Sequence, residues 1–212
     1  MTRFPQRGLY VITQAPVENA PACLSAVRAA LEGGAAVVQY RAKPSLNQAL
    51  AIDLLTLCRQ YRVPLIINDE VELARRIGAD GVHLGRDDGS LAQARERLGP
   101  DALIGISCYD SLERALTAEA GGADYVAFGR FFTSTTKPDA PVAHLETLAK
   151  ARAQLGIPIV AIGGIDASNA TRVLAAGATL LAVIGGVFGQ ADPRYAAHQL
   201  TELIARQDLC PD

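Results

Sequence analysis

Four segments decide the fold: GGAAVVQY over 33–40, IGADGVHL over 77–84, GGADYVAF over 121–128 and AGATLLAV over 176–183. Each passes from small residues, glycine foremost, into a short apolar run. Glycine accepts the left-handed backbone that closes a helix, and a short apolar run suits a strand buried on both faces. Aligned on Gly34, Gly78, Gly122 and Gly177, the segments recur at separations of 44, 44 and 55 residues. That period is too long for one strand–helix unit and fits two.

The alternate strands lie between them: LYVIT from Leu9, VPLIIND from Val63, ALIGIS from Ala102 and IPIVAIGG from Ile157. Amphipathic stretches such as 46–61 and 111–120 separate the strands, with apolar positions recurring at three and four. Strict alternation through eight strands predicts an α/β protein, a (β/α)8 TIM barrel forming one domain over 1–212. An open doubly wound sheet would need fewer units, and no GxGxxG follows the first strand.

Composition agrees. Half of the 212 residues are hydrophobic and tryptophan is absent, so the core is built from Ala, Val, Ile and Leu, as in buried parallel sheets. A net charge of −2, with acids and bases interspersed, provides no basic stripe for a nucleic-acid backbone. Cys23, Cys58, Cys108 and Cys210 form no CxxC pair, which argues against a zinc site or a disulfide framework and predicts free thiols in a reducing cytoplasm. The N-terminal stretch has no apolar run before a cleavage site, and no later stretch reaches the roughly 18 apolar residues of a membrane span. A soluble cytoplasmic protein without nucleic-acid or membrane partners is expected; a homo-oligomer is compatible with the sequence.

Barrel chemistry sits at strand C-termini and the loops after them. At the end of strand two, Gln39, Arg41 and Lys43 alternate onto one side and form an anion cradle. Strand three ends in Asn68 and Asp69, and strand four runs into Asp87 and Asp88. Asp69 with one acid of that pair could bind magnesium together with substrate phosphates, or the carboxylates could cap the helices that follow. Strand five ends in Ser107, which has no His/Asp partners for nucleophilic work and reads as a hydrogen-bonding hydroxyl. After strand six, Ser134, Thr135, Thr136 and Lys137 concentrate hydroxyls and a cation without a P-loop frame. Gly163 and Gly164 after strand seven, and Gly185 and Gly186 at the end of strand eight, mark a phosphate-binding corner. His83 reads as a satisfied core histidine and Cys108 as packing.

Together QYRAK, IIND, GADGVHLGRDD, GIS, GADYVAFG followed by TSTTK, and IVAIGGI resemble the thiamine phosphate synthase family over nearly the whole chain, Gly8 to about Ile204. The resemblance implies a TIM-barrel transferase that joins a pyrimidine diphosphate to a thiazole phosphate with loss of diphosphate, using Mg2+. It implies that Gln39, Arg41 and Lys43 grip the diphosphate and pyrimidine, with Asn68 and Lys137 adding contacts, and that Asp69 and Asp88 hold the metal. Arg41, Ser107 and Lys137 become the catalytic groups. Ser134, Thr136, Gly164, Ile184 and Gly185 are implied to bind the thiazole phosphate. Two positions depart from the family pattern: Gly185 where serine is usual, and Ser134 where threonine is frequent. The related thiazole tautomerase uses a histidine, expected in the neighbourhood of strand five that Tyr109 occupies here. A sugar-phosphate isomerase barrel would explain the phosphate corner but not the grouping of Arg41, Lys43, Asp69 and Asp88.

Overall fold

The computed structural model describes residues 3–13, 19–42, 46–86, 88–133 and 141–207. Eight parallel strands close into a barrel in sequence order: β1 (Gly8–Ile12), β2 (Ala35–Tyr40), β3 (Leu65–Asn68), β4 (Gly81–Leu84), β5 (Leu103–Tyr109), β6 (Tyr125–Phe128), β7 (Ile159–Ile162) and β8 (Leu180–Val183). Helices α1 (Ala20–Glu32), α2 (Gln48–Tyr61), α3 (Val71–Ile77), α4 (Leu91–Leu98), α5 (Leu112–Ala120), α6 (Leu145–Gln154) and α7 (Ala170–Ala175) alternate with them. A short α8 (Gly185–Phe188) and α9 (Pro193–Arg206) complete the chain of elements. The eight strands expected from the sequence are all present.

Helix starts are chemically marked. Side chains of Asn19, Asn47, Ser111 and Asp192 each accept a backbone N–H of the first turn, and Ser90 and Gln93 form a reciprocal capping box. The four aligned glycines all adopt positive φ, between 67° at Gly78 and 111° at Gly177, as the repeat requires. The residue two places after three of them explains the rest of the motif. Asp80, Asp124 and Thr179 accept the backbone N–H of Leu65, Ile104 and Ile159, at 2.9, 2.8 and 2.9 Å. Each closing turn therefore ties the start of its own strand to the start, or near it, of the preceding one.

Two apolar layers hold the barrel. The larger lies between strands and helices; the smaller fills the lumen with Phe4, Tyr10, Ile12, Val37, Ile66, Leu103, Tyr125 and neighbours. Phe4 plugs the lumen by stacking on Tyr125, with ring centroids 4.0 Å apart and planes 6° apart.

Two strand ends differ from expectation. β5 continues past Ser107 to Tyr109 through a register shift, so that Ser107 pairs with Ala127 and Tyr109 with Phe128. β8 stops at Val183; Ile184 is the N-cap of α8, so Gly185 and Gly186 open a helical turn and do not end the strand. The isolated sequence of two glycines does not distinguish a tight turn from a helix start.

Candidate active site

A cavity of about 660 Å³ opens at the C-terminal ends of the strands. Gln39, Arg41, Asn68, Asp69, Asp88, Ser107, Gly164, Ile184 and Gly185 all line it. Lys43, Asp87, Ser134, Thr136 and Lys137 lie outside the described residues.

Each wall has a local reason. The buried Thr13 continues the β1–β2 ladder beyond the strands: its N–H donates to the Gln39 carbonyl at 2.9 Å, and its Oγ1 accepts from Arg41 N at 2.9 Å and donates to Arg41 O at 3.2 Å. Arg41 is thereby fixed on the rim. At the end of β3, Asp69 N donates to His83 O at 2.9 Å, and Asp69 Oδ2 accepts from Asn68 Nδ2 at 2.6 Å. Asp69 has φ of 65° and Tyr109 of 57°, left-handed values that cost a non-glycine residue about 1–2 kcal/mol and concentrate at functional sites.

Asp88 Oδ2 accepts the Gly85 N–H at 2.9 Å. A Cβ at Gly85 would stand 2.5 Å from that oxygen, so glycine is what lets the carboxylate fold onto the loop. Neither acid caps a helix, since Glu70 and Ser90 occupy the N-cap positions of α3 and α4. Behind them Arg114 of α5 donates to Ser107 O at 2.7 Å and to Gly85 O at 3.3 Å, bracing the ends of β5 and β4.

At the opposite wall the β6 loop packs on the end of β7. Phe131 N donates to Ile162 O at 3.2 Å and Phe132 N to Gly163 O at 3.0 Å. A Cβ at Gly163 would meet Arg130 Cβ at 2.2 Å, and one at Gly164 would meet Thr133 O at 2.3 Å. The glycines read from sequence as a phosphate corner thus also let two loops approach. Asp166 closes the corner by accepting from Ser168 N and Oγ at 2.8 and 2.6 Å.

The lumen forms the floor. Gln39 Nε2 donates to Tyr10 Oη at 2.7 Å; Tyr10 Oη and Tyr125 Oη are 2.9 Å apart; Tyr125 Oη and His83 Nδ1 are 3.1 Å apart; His83 Nε2 and Ser107 Oγ are 2.8 Å apart. His83 is therefore hydrogen-bonded in the barrel, as the sequence suggests, and also faces the cavity. Burial pushes the Cys108 thiol up to about 12, which suits a packing role.

Sequence reasoning missed Tyr10, Tyr125, Arg86 and Arg130, all of which line the cavity. Arg86 lies over the Tyr109 ring with its guanidinium carbon 4.9 Å from the centroid. The GRDD run contained the clue to Arg86; Arg130 follows β6 without a motif.

A latch lies beside the mouth. His144 N and Nδ1 reach Asp110 Oδ1 and Oδ2 at 2.9 and 2.6 Å, tying the start of α6 to the end of β5. The hydrogen bond and the charge of Asp110 raise the His144 pKa. Burial alone would raise the Asp110 carboxyl, but hydrogen bonds from His144 and Thr147 and the imidazolium charge leave it lowered. The latch contributes fully above the ordinary carboxylate pKa and below the ordinary imidazole pKa, between about pH 4 and 6.5, and fades as pH rises through the raised His144 value or falls through the lowered Asp110 value. The thermal midpoint of His144→Ala is expected to fall furthest below wild type near pH 5.5, and the gap is expected to narrow as pH rises through the raised His144 value. A gap that ignores pH would rule out the latch.

A parallel eight-stranded barrel with arginines and carboxylates lining one cavity at its C-terminal mouth defines an enzyme of the TIM-barrel class acting on a small phosphorylated molecule. The chain belongs to a particular family of that class, since the model of the thiamine monophosphate synthase family matches residues 9–187. It is 54% identical to the thiamine-phosphate synthase of Methylococcus capsulatus over 99% of this chain and 96% of that one. It is 52% identical to that of Nitrosococcus oceani over 90% and 89%. Among solved structures, thiamine phosphate pyrophosphorylase from Pyrococcus furiosus superposes with a TM-score of 0.85 at 38% identity, covering 95% of this chain and 97% of that one. Among the described residues no helix is long and apolar enough to cross a membrane.

Proposed function

We propose that this chain joins 4-amino-2-methyl-5-hydroxymethylpyrimidine diphosphate to 4-methyl-5-(2-phosphoethyl)thiazole, giving thiamine phosphate and diphosphate. Its family and its near full-length relatives make it a transferase of thiamine biosynthesis. The observation that carries the finer reading is the convergence of Arg41, Asp69 and Asp88, from the ends of three consecutive strands, on one cavity.

In this reaction the bond between the pyrimidine methylene carbon and the diphosphate oxygen breaks, and its electron pair leaves on the diphosphate. The thiazole nitrogen closes a C–N bond on the same carbon. Negative charge grows on the leaving oxygens, so fixed cations aimed there stabilise the transition state more than the ground state. Arg41, which lines the cavity, is the cation that grips phosphate oxygens in this reading, with Gln39, Asn68 and Ser107 as neutral partners lining the same cavity. Gly164, Ile184 and Gly185 offer backbone to the thiazole phosphate, and the opening turn of a helix leaves its first N–H groups without intrahelical partners. A Cβ at Gly185 would meet nothing within 4 Å, so the missing family hydroxyl is not excluded by space. Lys43, Ser134, Thr136 and Lys137 keep the roles the resemblance assigns.

Asp69 and Asp88 suit Mg2+: both are hard oxygen donors, from the segments that follow β3 and β4, lining one cavity, and Asp88 is held in place by Gly85. Among the described residues no three His, Cys, Asp or Glu side chains form a metal cluster, so an ion there would take its remaining ligands from substrate phosphates and water. Bound Mg2+ supplies charge neutralisation at the diphosphate. A cytoplasmic site of action is supported by the free thiols Cys23, Cys58 and Cys108.

Incubating the protein with both precursors and Mg2+ is expected to yield thiamine phosphate and diphosphate in equal amounts, and a chelator is expected to stop the reaction. Absence of thiamine phosphate would remove the assignment; undiminished turnover under chelation would remove the metal alone.

A further inference from the structure

We infer that the lumen chain Gln39–Tyr10–Tyr125–His83–Ser107 has one polarity, running from β2 to β5, so that Ser107 is a hydrogen-bond donor toward the cavity and His83 is held as the Nε2–H tautomer. Tyr125 is then a positioning residue that acts on the substrate through His83 and Ser107. The statement about what Ser107 meets rests on the proposed function; the polarity itself does not.

Proton accounting along the chain fixes its direction. Each hydroxyl carries one proton, and a buried donor left without an acceptor is costly. Gln39, Tyr10 and Tyr125 are all buried. The Gln39 amide donates to Tyr10 Oη, so the Tyr10 proton is directed at Tyr125 Oη. The Tyr125 proton is then directed at His83 Nδ1, which must be bare to accept it. A neutral imidazole with a bare Nδ1 carries its hydrogen on Nε2, and that hydrogen points to Ser107 Oγ. The Ser107 proton is left for the cavity. Burial pushes both phenols above their ordinary range, so each keeps the proton the chain needs.

The reverse polarity requires the Gln39 amide turned over, with Ser107 donating inward to His83 Nε2. Ser107 would then present only lone pairs to the cavity. A phosphate oxygen at that position can only accept, so an anionic substrate and the observed Gln39 orientation select the same direction. The chain exists because Gly105 pairs with His83 on one side and Tyr125 on the other. Without a side chain between them, the two can bond across the intervening strand.

The test is nitrogen NMR on ligand-free, 15N-histidine-labelled protein, with His83 assigned by loss of its signal in His83→Gln. A bare Nδ1 and a protonated Nε2 are expected; a proton on Nδ1, alone or with Nε2, would overturn the polarity. In Tyr125→Phe, which keeps the ring and removes the phenol that holds Nδ1 bare, the single tautomer is expected to give way to a mixture, and kcat/KM to fall on the order of tenfold, the worth of one misdirected hydrogen bond. An unchanged single tautomer in that variant would remove the positioning role. Failure of the proposed reaction would look different: no thiamine phosphate, with the tautomer as expected.

Discussion

Gly105→Ala is expected to lower the thermal midpoint by about 6–12 °C and to abolish most activity. A Cβ at this position would stand 1.9 Å from Tyr125 Cζ and 2.4 Å from both Cε atoms. The ring has no easy retreat. Phe4 is stacked against it at 4.0 Å, His83 lies alongside at 5.6 Å, and Tyr125 is fully buried. Overpacking of this kind costs about 1–3 kcal/mol, and the displaced phenol adds about 1 kcal/mol for each hydrogen bond it abandons. A total near 3 kcal/mol corresponds to the stated shift at about 2–4 °C per kcal/mol for a domain of this size. Tyr125→Leu removes the obstacle, so the double variant is expected to be more stable than the sum of the single costs allows. Strictly additive midpoints would show that the methyl group is accommodated elsewhere.

Much of the fold was legible because the repeat is enforced by backbone chemistry. Gly34, Gly78, Gly122 and Gly177 all take positive φ, which few other residues tolerate, and Asn19, Asn47, Ser90 and Ser111 mark helix starts by side-chain geometry. The place of Asp69 and Asp88 on the cavity wall was legible because the loops after parallel barrel strands gather at one mouth. Tyr10 and Tyr125 were not. Barrel strands are buried on both faces, so alternation does not tell a lumen residue from one under a helix, and aromatic rings suit either layer. The Gly105 contact depends on which residues of β4 and β6 stand opposite it, a matter of register that no single strand carries. Arg86 and Arg130 were hidden for another reason: a loop arginine is ordinary in sequence, and only closure of the barrel brings both to one mouth.

Asp88→Asn separates charge from architecture at the proposed metal site. The carboxylate has a structural task, accepting the Gly85 N–H at 2.9 Å, and asparagine can perform it with its amide oxygen. The thermal midpoint is therefore expected to stay close to wild type. The negative charge is lost, and with it one of the two anionic groups that would attract a hard dication. At fixed Mg2+, kcat/KM is expected to drop at least about 100-fold, near 2.7 kcal/mol of transition-state stabilisation, the scale of removing one preorganised electrostatic contact. Raising Mg2+ is expected to recover part of the rate, because weakened binding can be offset by mass action. Asp88→Ala removes the acceptor as well, leaves the Gly85 N–H without it, and is expected to lose stability along with activity. If Asp88→Asn turned over at the wild-type rate with the wild-type Mg2+ dependence, the carboxylate would be part of the loop and nothing more, and Asp69 would have to hold any ion with substrate and water alone.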